Sequence, residues 1–163
     1  MLKNVANAVL FQLGWLTCVL GGNSLWLLLA LAVLVIHLRW LSSWATEGRL
    51  VLSVVIVGTA LDSVLRALSV FEFSDPSPLI PLWLMLLWAL LATTLRHCLQ
   101  WSARPWWLAS ALGAVGGALS YYAGGRLAGV QFPYGDWPTL IGIGVLWAFV
   151  FPLLHVMGRR LAQ

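Results

Sequence analysis

The sequence predicts an all-α membrane protein, a compact bundle of six transmembrane helices with the N- and C-termini both in the cytoplasm. Three observations predict it. The chain of 163 residues is 61% hydrophobic and 9% charged, whereas a soluble domain carries about 25% charged residues. Lys3, Arg39, Arg49, Arg96, Arg104, Arg159 and Arg160 fall at one end of the alternating apolar runs, and Glu72, Asp75 and Asp136 fall at the other. That is the sorting that holds basic residues on the cytoplasmic side. Tryptophans sort in the same frame, with Trp40, Trp44, Trp101, Trp106 and Trp107 in an inner belt and Trp26, Trp83 and Trp137 in an outer one.

The spans are expected at 5–22, 24–38, 50–70, 78–99, 106–123 and 138–157, forming a single integral membrane domain over 1–163. Backbone groups inside lipid have no water to bond, so each span must be helical. The first run follows Lys3 and is interrupted by Gln12 and Gly14, so it reads as a retained helix rather than a cleaved signal. The second is short and joins the first through Gly21-Gly22-Asn23-Ser24, a turn that permits only an antiparallel hairpin. The third contains Asp62 and Arg66, and Ser74-Asp75-Pro76-Ser77-Pro78 breaks the chain before the fourth. The fifth is dense in glycine from Gly113 to Gly129, which permits local unwinding of the kind that makes transporter sites. The sixth contains Pro152, a kink position.

Several function classes are excluded at this level. The nine basic residues are scattered singly, with no stripe to follow a phosphate backbone, so nucleic acid is not a partner. Cys18 and Cys98 are too few for a disulfide framework. No phosphate-binding loop, dinucleotide fingerprint, nucleophile elbow or C-x-x-C is present. Neither a cofactor nor a metal ion is expected: His37, His97 and His155 all lie at inner ends, but no H-E-x-x-H spacing supports a metal. No catalytic residue is assigned, and Asp62 reads as the only acid inside a span, which leaves no paired-carboxylate chemistry.

The candidate ligand-binding residues are Asn7, Gln12, Asp62, Arg66, Thr93, His97 and Tyr121. Asp62 and Arg66 are four apart and share a helix face, so they are expected to pair, either to fix packing or to engage a charged head group. Asn7, Phe11, Gly14 and Cys18 make one stripe of the first span, with Gln12 at its edge. Amides there ordinarily join helices by hydrogen bonds; functionally they would wall a cavity. Thr93, His97 and Gln100 share a face at the inner end of the fourth span, where a histidine is either simply solvated or a proton carrier. Gly113, Gly117, Ser120 and Gly124 form a small-residue stripe that would let another helix, of this chain or of a partner protein, approach closely.

Phe11-Gln12-Leu13-Gly14-Trp15 with Cys18, Trp88-Ala89 through Ala92-Thr93-Thr94 to His97, and Gly113-Ala114-Val115-Gly116-Gly117 to Ser120-Tyr121 and Ala123-Gly124 resemble one family over nearly the whole chain. It is an uncharacterised family of small bacterial inner-membrane proteins, a domain of unknown function with about six transmembrane helices. Ala118 and Arg96 depart from its pattern, standing where proline and a neutral amide are usual. The resemblance implies a multi-pass protein of the bacterial inner (cytoplasmic) membrane, near lipid chemistry, with no assigned activity. The expected function is binding or translocating a lipid or small amphiphile through an intramembrane polar cavity. The alternatives are a non-catalytic partner of a lipid-modifying complex and a membrane-embedded lipid-modifying enzyme.

Overall fold

The computed structural model describes residues 1–161, and they form six α-helices: α1 (Leu2–Gly21), α2 (Leu27–Ile36), α3 (Trp44–Ala67), α4 (Leu82–Ala92), α5 (Trp106–Ala128) and α6 (Asp136–Arg160). A π-helical turn, His37–Leu41, continues α2, and a short 3₁₀ turn, Gln100–Ala103, precedes α5. The helices pair in sequence as three antiparallel hairpins, with α4 packed against α1, α2 and α3. α5 lies chiefly on α6 and meets α1 more lightly. Opposite the termini, Glu72 and Gln131 exchange backbone hydrogen bonds of 2.9 and 3.0 Å and tie the α3–α4 loop to the α5–α6 loop.

α1, α3 and α6 are long and apolar enough to cross a membrane. The distribution of side chains is that of a protein solvated by lipid. Ile141, Val145, Phe149 and Leu153 form an outward stripe on α6 at four-residue spacing, all more than half exposed. The polar side chains are turned inward instead: Asn7, His37, Glu47, Asp62, Thr93 and His155 are all buried.

Three elements differ from their sequence expectations, each for a local reason. α3 begins at Trp44, because the Ser43 hydroxyl accepts the Thr46 N–H and caps a polar first turn that reads as loop. Glu47 is thereby placed inside the helix, so Asp62 is not its only acid. α4 stops at Ala92, where Thr93 and Thr94 return their hydroxyls to the Leu90 and Leu91 carbonyls at 2.7 and 2.6 Å. Hydroxyls bonded back to the preceding turn compete with the helical ladder.

The glycine-dense α5 does not unwind. It is continuous to Ala128 and closes at the left-handed Gly129, φ 70°. Its small residues serve close packing within the chain: a β-carbon at Gly113 would stand 2.3 Å from the Trp147 carbonyl oxygen, and one at Gly117 2.4 Å from the Trp147 ring. Ser120 and Gly124 turn toward α1, where Trp15 donates to the Ser120 hydroxyl. Within the chain, Gly113 and Gly117 thus lie against α6, and Ser120 and Gly124 face α1. Gly116, on the same helix, has no atom within 4 Å of its β-carbon direction.

That contrast predicts opposite outcomes one turn apart. Gly113→Leu forces α5 from α6 and is expected to cost about 3 kcal/mol or more, the upper range for overpacking. Gly116→Leu is expected to leave the thermal midpoint within about 2 °C of the parent, as a surface substitution does. Thermal unfolding of both variants in detergent checks this.

Candidate functional site

Asp62 is wholly buried in the C-terminal half of α3. Its Oδ2 accepts the Trp88 indole N–H at 2.8 Å, and its Oδ1 accepts the Tyr121 hydroxyl at 2.6 Å. One carboxylate thus binds α3 to α4 and α5. Gly58, one turn earlier, makes this possible: a β-carbon there would lie 2.0 Å from the Trp88 ring. Trp88 in turn stacks on Trp147 of α6, with centroids 5.3 Å apart and planes 13° apart.

The expected Asp62–Arg66 pair does not form. Arg66 lies in the last turn of α3 and reaches past the helix end. Its Nη1 donates to the Leu79 carbonyl at 2.7 Å, its Nη2 to the Asp75 carbonyl, and its guanidinium lies over the Phe73 ring at 5.1 Å. The Asp75 carboxylate is its acidic partner, at 3.4 Å. A long cationic side chain near a helix end gains more from exposed carbonyls and the negative end of the dipole than by turning back into the core.

Trp88, Tyr121 and Trp147 form one wall of a cavity of about 340 Å³ between α1, α4, α5 and α6, closed on the α1 side by Phe11 and Trp15. Most of its surface is apolar, and Gly116 lines it without a side chain. Trp147 Nε1 is buried without a protein partner among the described residues. A smaller cavity of about 60 Å³ continues toward Phe73 and Phe132. Trp15, Leu84, Leu87, Ser120 and Tyr121 border both cavities, and between them Trp15 Nε1 donates to Ser120 Oγ at 3.2 Å.

A second polar group lies at the other end of α3. Glu47 Oε2 is 2.9 Å from His37 Nε2, and Glu47 Oε1 is 2.8 Å from His97 Nε2. Asn7 sets the protonation of this group. Its Oδ1 accepts the Cys98 backbone N–H and its Nδ2 donates to the Thr93 carbonyl, both at 3.2 Å, in the irregular segment that follows α4. These two bonds fix which end of the amide faces where, so Nδ2 also donates to His37 Nδ1 at 3.2 Å. His37 therefore carries its proton on Nε2 and donates it to Glu47. Arg96 stands beside the cluster, 3.9 Å from Glu47 Oε1 and hydrogen-bonded to the Thr46 carbonyl.

The seven candidate residues thus separate. Asn7, Thr93 and His97 gather at one end of the bundle with His37 and Glu47; Asp62 and Tyr121 gather in the other half with Trp88. Arg66 bonds to the loop that follows α3, and Gln12 is exposed on α1, outside the residues that line either cavity. Glu47 and Trp88 are the functional side chains that reading the sequence missed. Ser43 with Thr46 is the signal that places Glu47 in a helix; nothing in the sequence pairs Trp88 with Asp62. Glu47 and Asp62 do not form paired carboxylates, since fifteen residues of helix separate them by about 22 Å.

A serine–histidine pair is present but is not an activated nucleophile. Ser102 Oγ lies 2.7 Å from the Leu99 carbonyl and 2.9 Å from His155 Nε2. A carbonyl only accepts, so the single hydroxyl proton goes to Leu99, and His155 donates to the serine oxygen rather than taking its proton. Both cysteines are free thiols.

The chain belongs to the family of proteins of unknown function DUF2878, whose model matches residues 4–153. No curated protein matches it, and no solved structure does.

The separation of Asp62 from Arg66 is directly measurable. In double-mutant cycles, Asp62→Asn and Arg66→Gln are expected to add within about 0.5 kcal/mol, as non-contacting sites do. Asp62→Asn with Tyr121→Phe is expected to show a coupling of about 1 kcal/mol or more, because the two share a buried hydrogen bond. Unfolding free energies in mixed micelles supply all the numbers.

Proposed function

We propose that this protein is a multi-pass protein of the bacterial inner membrane that binds one apolar chain of a lipid or lipid-like amphiphile in the groove between α1, α4, α5 and α6. The cavity walled by Trp88, Tyr121 and Trp147 carries the reading. Along α5 it runs from Leu112 to Tyr121, nine residues or about 14 Å of helix. One leaflet of a bilayer's hydrocarbon core is about 15 Å deep, so the groove matches the depth that a single acyl chain occupies. The continuation past Trp15 and Ser120 lengthens the path on the side of Phe73 and Phe132. Basic residues at the end that holds both termini support a cytoplasmic position for them.

The polar complement of the groove is neutral. Asp62 is shielded behind Trp88 and Tyr121, and Arg66 is committed to the loop that follows α3. What remains for a ligand is the Ser120 hydroxyl, whose oxygen accepts from Trp15 and leaves its proton to donate. It suits an ester, hydroxyl or carbonyl oxygen rather than the charged head group that an Asp62–Arg66 pair would engage. Binding is favoured over chemistry because the Ser102–His155 pair provides no base for its hydroxyl.

Gly116→Leu tests the reading by adding a side chain at a lining position where a β-carbon meets no atom within 4 Å. Native mass spectrometry of protein released from lipid nanodiscs is expected to show a retained lipid on the parent and at least a tenfold smaller bound fraction on the variant. The same lipid profile for both would overturn the proposal.

A further inference from the structure

The His37–Glu47–His97 cluster takes no part in the groove, and its geometry points to a separate site. We propose that these three side chains bind one first-row divalent metal ion of the zinc class. Their ligand atoms all lie within 4.8 Å of one another. Two imidazoles and a carboxylate are the donor set that such ions take, at about 2.0–2.2 Å from each atom. Each imidazole already stands against its own carboxylate oxygen, His37 Nε2 2.9 Å from Glu47 Oε2 and His97 Nε2 2.8 Å from Glu47 Oε1. An ion would replace the two N–H protons, with small side-chain rotations drawing the three ligand atoms in to about 2.0–2.2 Å.

The three residues arrive from three places where regular helix fails or begins. His37 opens the π-helical turn, Glu47 lies in the first turn of α3, and His97 follows the break in α4. π-Helical turns occur frequently at functional sites. Burying such a group confers no stability that packed apolar side chains would not match. His37 and Glu47 are closed off, with side chains 2% exposed, while the His97 side chain is 17% exposed and gives the ion a route in and an open position for water.

Two neighbours respond to loading. Arg96 opposes a cation, but its side chain is 30% exposed and its hydrogen bond is to the Thr46 carbonyl, so it can turn outward. Each ring must also carry its proton on Nδ1 instead of Nε2. At His37 that places an N–H against the Asn7 amide N–H, so Asn7 has to turn over and release both Cys98 and Thr93. Metal-bound histidines ordinarily donate this second N–H to an oxygen. An aspartate at position 7 supplies one, and Asn7→Asp is expected to tighten the site.

The experiment uses the full chain, purified without a histidine tag, stripped with chelator and titrated with Zn²⁺ and with Co²⁺. Elemental analysis is expected to find one zinc per parent chain, at least tenfold weaker binding to the His37→Gln/His97→Gln double variant, and about tenfold tighter binding to Asn7→Asp, the lower range for outer-shell effects. Co²⁺ on the parent is expected to give visible bands of nitrogen and oxygen ligation. Should the double variant fail to fold, the cobalt bands and the Asn7→Asp affinity still decide. No cobalt bands, or a parent that holds no more zinc than a folded double variant, would overturn the proposal. Gly116→Leu is expected to bind zinc like the parent, so this site and the groove stand or fall separately.

Discussion

Two buried carboxylates on one helix organise the other five. Asp62 draws Trp88 from α4 and Tyr121 from α5. Glu47, about 22 Å away along α3 by helical rise, draws His37 from the end of α2 and His97 from the segment after α4. Asn7 brings in α1 through His37, Thr93 and Cys98, and α6 joins through the stack of Trp147 on Trp88. In lipid, apolar faces have little preference between a neighbouring helix and an acyl chain, so packing and internal hydrogen bonds must select the arrangement. An acid in the bundle selects strongly, because a carboxylate without donors is far costlier there than a misplaced leucine. The position of each helix around α3 follows from which donor it contributes.

The same constraint explains how an apolar groove persists within an apolar solvent. Trp88 and Tyr121 are each held at their polar end by Asp62, and Trp88 is pressed against Trp147, so this wall cannot collapse into the space beside it. The opposite wall is lighter: α1 reaches α5 at few points, one of them the bond from Trp15 to Ser120. An acyl chain bound as proposed would gain little by leaving lipid, since both surroundings are hydrocarbon. Its gain is contact with aromatic faces that would otherwise line a void, and unfilled space forfeits dispersion on every side chain around it. Discrimination must then come from shape and from the few neutral donors at the wall.

Much of the fold was legible because a spanning segment writes itself as a long apolar run, and six runs were visible. What failed were features decided outside the run. The start of α3 is polar, with Thr46, Glu47 and Arg49, and reads as loop unless the Ser43 cap is given priority over hydropathy. The glycines of α5 suggest a break when read alone, but Trp147 lies against them and the helix continues. The candidate site was legible as residues and not as pairs. A spacing of four places Asp62 and Arg66 on one face; it does not say that donors 26 and 59 residues away will take the carboxylate. His37, His97 and Asn7 were visible as polar residues at helix ends or in spans. Their meeting depends on the break at Thr93, which no hydropathy reading detects.

The arginines show why a shared face was a poor guide to partnership here. A guanidinium is always charged and sits at the end of a flexible apolar stem, so it reaches for the interface whenever the helix end is near. Arg66 finds two carbonyls and Asp75 beyond α3, and Arg126 finds Asp136 at the start of α6. Both cations pair with acids in loops or at helix starts, at the end of the bundle opposite the termini. The interior is left with a carboxylate satisfied by an indole and a phenol. Neutral donors can do this where a cation would not, because tryptophan and tyrosine are stable inside hydrocarbon and carry a single polar atom to the point of need. The bundle thus keeps its cations near its ends and gives its deepest acid to aromatic residues, which is also why the groove beside Asp62 is walled by rings.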